Sequence, residues 1–369
     1  MNNSTAHEHK GAKKTYANSS KWMEAAYRIF AAVANAVLVI LGGGLLVQTI
    51  GQLTGIQALT LVGAAIQVLL APAIGYAVAS QVHTNTLVTF ASMASAMIGA
   101  NAVHFTTTAT QALTATGQAY ATAANAPVYT TGQPISALLA AVCATIVGKW
   151  LTGKTPLDMV LVPFGALAVG VVAGLALAAV VTPALLAVSK WIANMEQVSP
   201  VIGSIAISVV WALFLMTPAS SAALSVALML DPISSAAALI GTTSQFVNYT
   251  VMSFRQNNAG TNIAQFVVTP KIQFPNILIN PWLLVPSVTA AAICAPIATS
   301  LGFRSTYTLG GLGLNSFIAP IAYLSKGPYQ LMLYVLFGMI VPAVISLALY
   351  FFMKKIGLIG ENQLHLDIV

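Results

Sequence analysis

Apolar runs recur from Ala31 to Met353 with short polar breaks between them. A membrane-crossing helix needs about 20 mostly apolar residues, and the chain between Ser20 and Lys354 has room for about eight to ten such spans if some are short or re-entrant. The pattern predicts an all-α polytopic membrane protein, with a first span over Ala31 to Ile50 and a second over Ile56 to Ser80 that contains Gln67 and Pro72. The first run is longer than a secretory h-region, so it reads as a retained span. Asn85 to Val103 is rich in small residues, which suits close helix packing. A fifth span covers Leu157 to Val181, where Gly170 and Gly174 form a G-x-x-x-G that permits close helix contact. Ala184 to Gln197 reads as an amphipathic connector with Trp191 at the headgroup level.

From Val201 the rhythm changes. Span-like stretches cover Val201 to Met216, Ala219 to Leu230, Ser234 to Phe254, Trp282 to Leu301 and Tyr329 to Met353, and the second is too short to cross alone. They are broken by Thr217-Pro218, Asp231-Pro232, Pro296 and Gly310 to Pro320, and by an amide-rich segment from Ser253 to Pro281 that carries Arg255 and Lys271. Broken hydrophobic segments point to a binding site in secondary transporters. Polar backbone at membrane depth is tolerated only where it lines a cavity or is buried in protein. The division expected is a tail over 1–20, a membrane domain over 21–356 and a second tail over 357–369. Within the membrane domain, 21–200 is mainly scaffold and 201–328, with its re-entrant hairpins, mainly binds substrate.

The composition agrees with this class: 58% hydrophobic and 6% charged residues, with a mean hydropathy of +0.86. The net charge of +7 does not imply nucleic acid, because Lys10, Lys13, Lys14, Lys21 and Arg28 precede the first apolar run and Lys354 and Lys355 follow the last. Basic residues at span ends follow the positive-inside bias, so both termini are expected in the cytoplasm and the span count is even. Thr106 to Gln133 contains no Lys or Arg and reads as extracytoplasmic, whereas Lys149 and Lys154 mark a cytoplasmic loop.

The residue types that could bind a solute are Asp231, Gln245, Asn248, Arg255, Asn257, Asn258, Asn262, Gln265 and Asn315. Amides and hydroxyls with aromatic faces hold neutral polar ligands, sugars and polyols above all. Each has a structural reading beside the functional one: Asp231 before a proline caps a helix as readily as it binds a ligand, and the amides can satisfy the backbone of a re-entrant turn. Asn315, set among glycines, has the same two readings. Asp158 reads as a helix-start residue.

Other chemistry is poorly supplied. His7 and His9 flank Glu8 in a polar tail, and His83 and His104 would lie about 30 Å apart on one helix, so they cannot share a metal. Cys143 and Cys294 stand alone in apolar stretches and read as packing residues. The sequence contains no nucleotide-binding loop, nucleophile elbow or zinc-protease motif. No catalytic residue, metal or cofactor is therefore assigned. An intramembrane protease or a proton-coupled carrier would have only Asp158 and Asp231 to work with.

The run VTPKIQFPNILINPWLLVPSVTAAAICAPIA, followed by GGLGLNSFIAPIAYL, resembles the membrane IIC components of the bacterial phosphoenolpyruvate-dependent sugar phosphotransferase system. The resemblance covers about residues 20 to 356 and is to a stand-alone subgroup that includes membrane proteins named as regulators of the toxin perfringolysin O. It implies a homodimer in the bacterial cytoplasmic membrane, each protomer combining a scaffold with a mobile transport domain whose re-entrant hairpins hold one sugar. It also implies phosphoryl transfer to that sugar from a separate IIB protein, with IIA and IIB supplied in trans. Glucose-type IIC proteins carry a glutamate in a G-I-T-E-P-like hairpin motif, and this sequence has none. The alternative to a sugar permease is therefore a IIC-like membrane sensor or regulator of gene expression without phosphotransfer.

Overall fold

The computed structural model describes residues 21–366 apart from positions 219 and 325. The tail over 1–20, with His7, Glu8 and His9, lies outside them. The described fold is almost wholly helical and contains five helices long and apolar enough to cross a membrane, or six if one bent pair counts as a span.

The first half is a bundle. Helix α1 (Lys21–Ala36) runs through a π-turn at Val37–Gly42 into α2 (Gly43–Thr54). The second expected span is two helices, α3 (Gln57–Gln67) and α4 (Leu70–Gln81), bent by 43°. Pro72 explains the break: it has no N–H to offer the preceding turn, and its ring clashes with the carbonyl four residues back. Helix α5 (Thr86–Gly99) is capped by Asn85, whose side chain accepts from Val88 N.

The loop expected between Thr106 and Gln133 is a finger of two antiparallel ladders. Its outer pair is β2 with β3, and its inner pair is β1 with β4: β1 (Val103–Phe105), β2 (Thr110–Leu113), β3 (Ala119–Thr122) and β4 (Pro127–Tyr129). Gly117, at φ +81°, supplies the turn.

Helix α6 (Pro134–Leu151) and the 41-residue α7 (Asp158–Val198) close the bundle. The stretch Ala184 to Gln197, expected as a connector, is helical and continues α7, with Pro183 inside the helix. A Cβ on Gly174 would lie 2.9 Å from the Gly99 Cα, and one on Gly170 would lie 2.2 Å from the Ser95 Oγ. The G-x-x-x-G of α7 thus seats on a small-residue stripe of α5. The core of this half gathers Val33, Val37, Leu70, Ile74, Val78 and Leu138.

The second half has its own core. Helix α8 (Pro200–Met216) leads to the short α9 (Ser221–Ala227) and then to α10 (Pro232–Ser253). Almost every residue of α10 is buried. Its serines, threonines and amides keep its hydropathy below that of the membrane-crossing helices, although it sits at the centre of the half. Its own Phe246 is fully buried, and so are Trp211, Phe303, Tyr323 and Tyr334 around it. Tyr323 and Tyr334 stack at 5.2 Å between ring centroids.

The amide-rich segment then folds as a hairpin of short pieces. One arm is α11 (Ala259–Ile263) with a π-turn at Ala264–Val268; the other is a 3-10 turn at Pro270–Gln273 with α12 (Phe274–Ile279). The chain reverses at Thr269, which is fully extended. Helix α13 (Leu284–Ser300), α14 (Tyr307–Gly310), α15 (Ile318–Leu324), α16 (Pro328–Val335) and α17 (Val341–Lys355) follow, with a π-turn at Leu336–Ile340 joining the last two.

Candidate functional site

A cavity of about 490 Å³ lies between the two halves, within the roughly 300–1,000 Å³ usual for small-molecule sites. One wall comes from the π-turn after α1 (Val37, Leu41, Gly42), from Gln67 and Leu70 at the α3–α4 break, and from Thr131 to Pro134 beneath the strand finger. The facing wall comes from chain breaks in the second half: Pro218, Ser220 and Ser221 after α8, Thr269 and Lys271 at the hairpin tip, and Thr308, Gly311 and Asn315 beyond α14. Broken helices expose backbone groups that a continuous helix would consume, so polar atoms converge there.

The polar contacts are specific. Lys271 is 6% exposed, and its ammonium donates to Thr217 O at 2.6 Å and to Phe214 O at 3.5 Å. It thereby adds a cationic donor to the carbonyls at the C-terminal end of α8, where a cation is electrostatically favoured. The Lys271 amide donates to Thr269 Oγ1 at 3.2 Å. Ser221 Oγ donates to Gly311 O at 2.8 Å, and Gln67 Nε2 donates to Gln48 Oε1 at 2.7 Å. Among the described residues that line this cavity there is no carboxylate.

The turn after Asn315 is strained. Ser316 and Phe317 both have left-handed backbones, at φ +51° and +56°. Consecutive non-glycine residues in that region cost of order 1–3 kcal/mol each, and such strain concentrates at functional sites. Ser316 Oγ donates to Asn315 Oδ1 at 2.9 Å, which orients the amide on the cavity wall.

At the hairpin tip, a Cβ on Gly42 would lie 2.0 Å from Val268 Cγ1. Only a glycine lets the first-half wall come this close to the hairpin, and that approach bounds the cavity.

Of the nine residues expected to bind solute, Asn315 alone lines this cavity. Asp231 caps α10, accepting from Ile233 N at 2.9 Å and Ser234 N at 3.1 Å. Asn258 caps α11 through Thr261 N at 2.8 Å. Gln245 and Asn248 come together one turn apart on α10, both donating to Ser287 O at 3.4 Å, while their carbonyl oxygens are buried without a protein partner. Gln265 donates to Ser253 Oγ at 2.9 Å and accepts from Gln273 Nε2 at 2.7 Å. Asn262 donates to Phe254 O and Asn257 O. Arg255 is exposed. Asn257 and Asn262 border a more open groove of about 440 Å³ that is largely apolar, with Phe254, Ile263 and Phe266. The segment thus supplies two residues of the cavity at its tip, while its amides mostly bond to protein.

Sequence reasoning counted Lys271 as a charge in this segment without choosing it for the site, and it passed over Thr269, Ser220, Ser221 and Thr308. The available signal was their position at chain breaks: Thr269 and Ser220 each stand within two residues of a proline in the broken half.

The family model described as phosphotransferase system, EIIC, matches residues 27–366, nearly the whole chain. The chain belongs to this EIIC family. It is a permease-type membrane component of a sugar phosphotransferase system and a multi-pass membrane protein. No individual curated protein sequence matches it. The broken second half, the hairpin and the cavity between two cores are thus features of an EIIC protein.

Proposed function

We propose that the cavity between the halves is the solute site of this EIIC protein and takes one neutral sugar or polyol. A separate IIB protein would phosphorylate the sugar, with IIA and IIB acting in trans. The observation that carries the reading is the lining itself: Gln67, Ser220, Ser221, Thr308 and Asn315 offer neutral donors and acceptors from both halves around one volume. Such groups suit hydroxyl-rich ligands. With no carboxylate in that lining, the general base for transfer would come from the phosphocarrier side. Both termini on the cytoplasmic side would fit the placement of basic residues at the span ends, and the family resemblance implies a homodimer.

The test is uptake of a sugar panel by cells with and without the chain, a IIB partner being present, together with thermal shifts of the purified protein in detergent. A bound solute raises the unfolding temperature by mass action. One sugar class should give saturable uptake and a thermal shift, and both should weaken in Asn315→Ala. A panel with neither response overturns the solute-site reading and leaves the sensor alternative.

A further inference from the structure

Residues 358–366, beyond α17, do not leave the fold. Ile359 is 2% exposed and Leu364 fully buried, in a cluster with Met216, Tyr249, Met252, Ile277, Leu283, Tyr350 and Met353. The polar side of the same stretch is read almost entirely by side-chain amides of the hairpin segment. Asn280 donates to Leu358 O at 3.0 Å and to Gln363 Oε1 at 2.7 Å. Gln256 Oε1 accepts from Leu364 N at 2.9 Å, and Asn257 Nδ2 and Gln273 Nε2 both donate to Leu364 O, at 2.9 and 3.0 Å. Asn276 donates to His365 O at 2.9 Å, and Asn257 Oδ1 accepts from Leu366 N at 2.8 Å.

These amides stand on both arms of the hairpin: Gln256 and Asn257 precede α11, and Gln273 and Asn276 belong to the return arm. Gln273 is two residues from Lys271 in the same 3-10 turn and also bonds Gln265 on the first arm. Met216, in the cluster that buries Leu364, ends the helix whose next residue accepts from Lys271. The polar and apolar contacts of 358–366 both lead within a few residues to the cavity wall.

We propose that residues 358–366 are a strap that clamps the two arms of the hairpin together and so sets the position of its Thr269–Lys271 tip and the access to the cavity. Side-chain amides replace the backbone ladder a strand would use. The clamp can therefore be released without unfolding any helix, and a partner that draws the strap away would loosen the hairpin tip. The inference concerns hairpin position and does not depend on which solute the cavity takes.

The test uses full-length protein in lipid vesicles, with Cys143 and Cys294 replaced by alanine and Ser220→Cys as a reporter on the cavity wall. Leu364→Ser, which removes the strap's apolar anchor without substituting any hairpin residue, should raise the rate of reporter labelling by a small soluble maleimide at least about tenfold, the lower end of what truncating a buried leucine costs. An unchanged rate, while hydrogen exchange shows 358–366 released, overturns the proposal. Should that variant not fold, exchange on the natural sequence decides. Residues 358–366 and 269–273 should open as one unit under mild denaturant, and independent opening overturns it.

Discussion

The Lys271 ammonium donates to the Thr217 carbonyl oxygen at 2.6 Å, joining the tip of the re-entrant hairpin to the broken end of α8. The contact puts a cation at the carbonyl end of the helix, where positive charge is favoured, at the edge of a cavity whose remaining polar side chains are neutral.

Replacing that lysine should therefore damage both fold and site. Lys271→Met leaves the Thr217 carbonyl without this donor, at about 1–3 kcal/mol of stability, and frees the hairpin tip. Thermal unfolding in detergent should show a lower midpoint, with a weaker response to any sugar that stabilises the natural protein. An unchanged midpoint and unchanged response would remove Lys271 from the argument.

Asp231 and Asn315 should separate by phenotype. Asp231→Ala loses a helix cap, which costs about 0.5–2 kcal/mol, and sugar affinity should hold once stability is allowed for. Asn315→Ala should lower affinity by about 1–3 kcal/mol, the penalty of an unpaired partner. Calorimetric titration of both variants tests this, and a reversed pattern would move the site to the start of α10.

The α5–α7 seam predicts strict size limits. Gly174→Leu sets a side chain against the Gly99 backbone, where even a Cβ comes within 2.9 Å. The change should destabilise the first half by about 1–3 kcal/mol, the usual cost of overpacking. A leucine variant with the natural unfolding midpoint would contradict this packing.

The left-handed turn after Asn315 gives an inverted ranking. Glycine is normally the weaker choice beside alanine in regular structure. At Ser316, whose φ is +51°, Ser316→Gly should nevertheless be more stable than Ser316→Ala by about 1 kcal/mol. Both variants lose the bond to Asn315, so comparing their midpoints isolates the backbone.

The sequence by itself determined the class. Recurrent apolar runs leave no soluble solution, basic residues bracket them, and the broken second half announced where helices would stop. The G-x-x-x-G of Gly170 and Gly174 was also legible as permitting close helix contact, because small residues let backbones approach. The destination of the amides was not. Asn257, Gln273 and Asn276 bond to residues about 90 to 110 positions away, and a donor's chemistry is the same whether its acceptor is a sugar hydroxyl or a backbone carbonyl. Tertiary structure decided that these amides bind the chain's own strap, that polar α10 is buried at the centre, and that the cavity opens between two cores. Those outcomes depend on which distant surfaces meet, and local hydropathy carries no record of it.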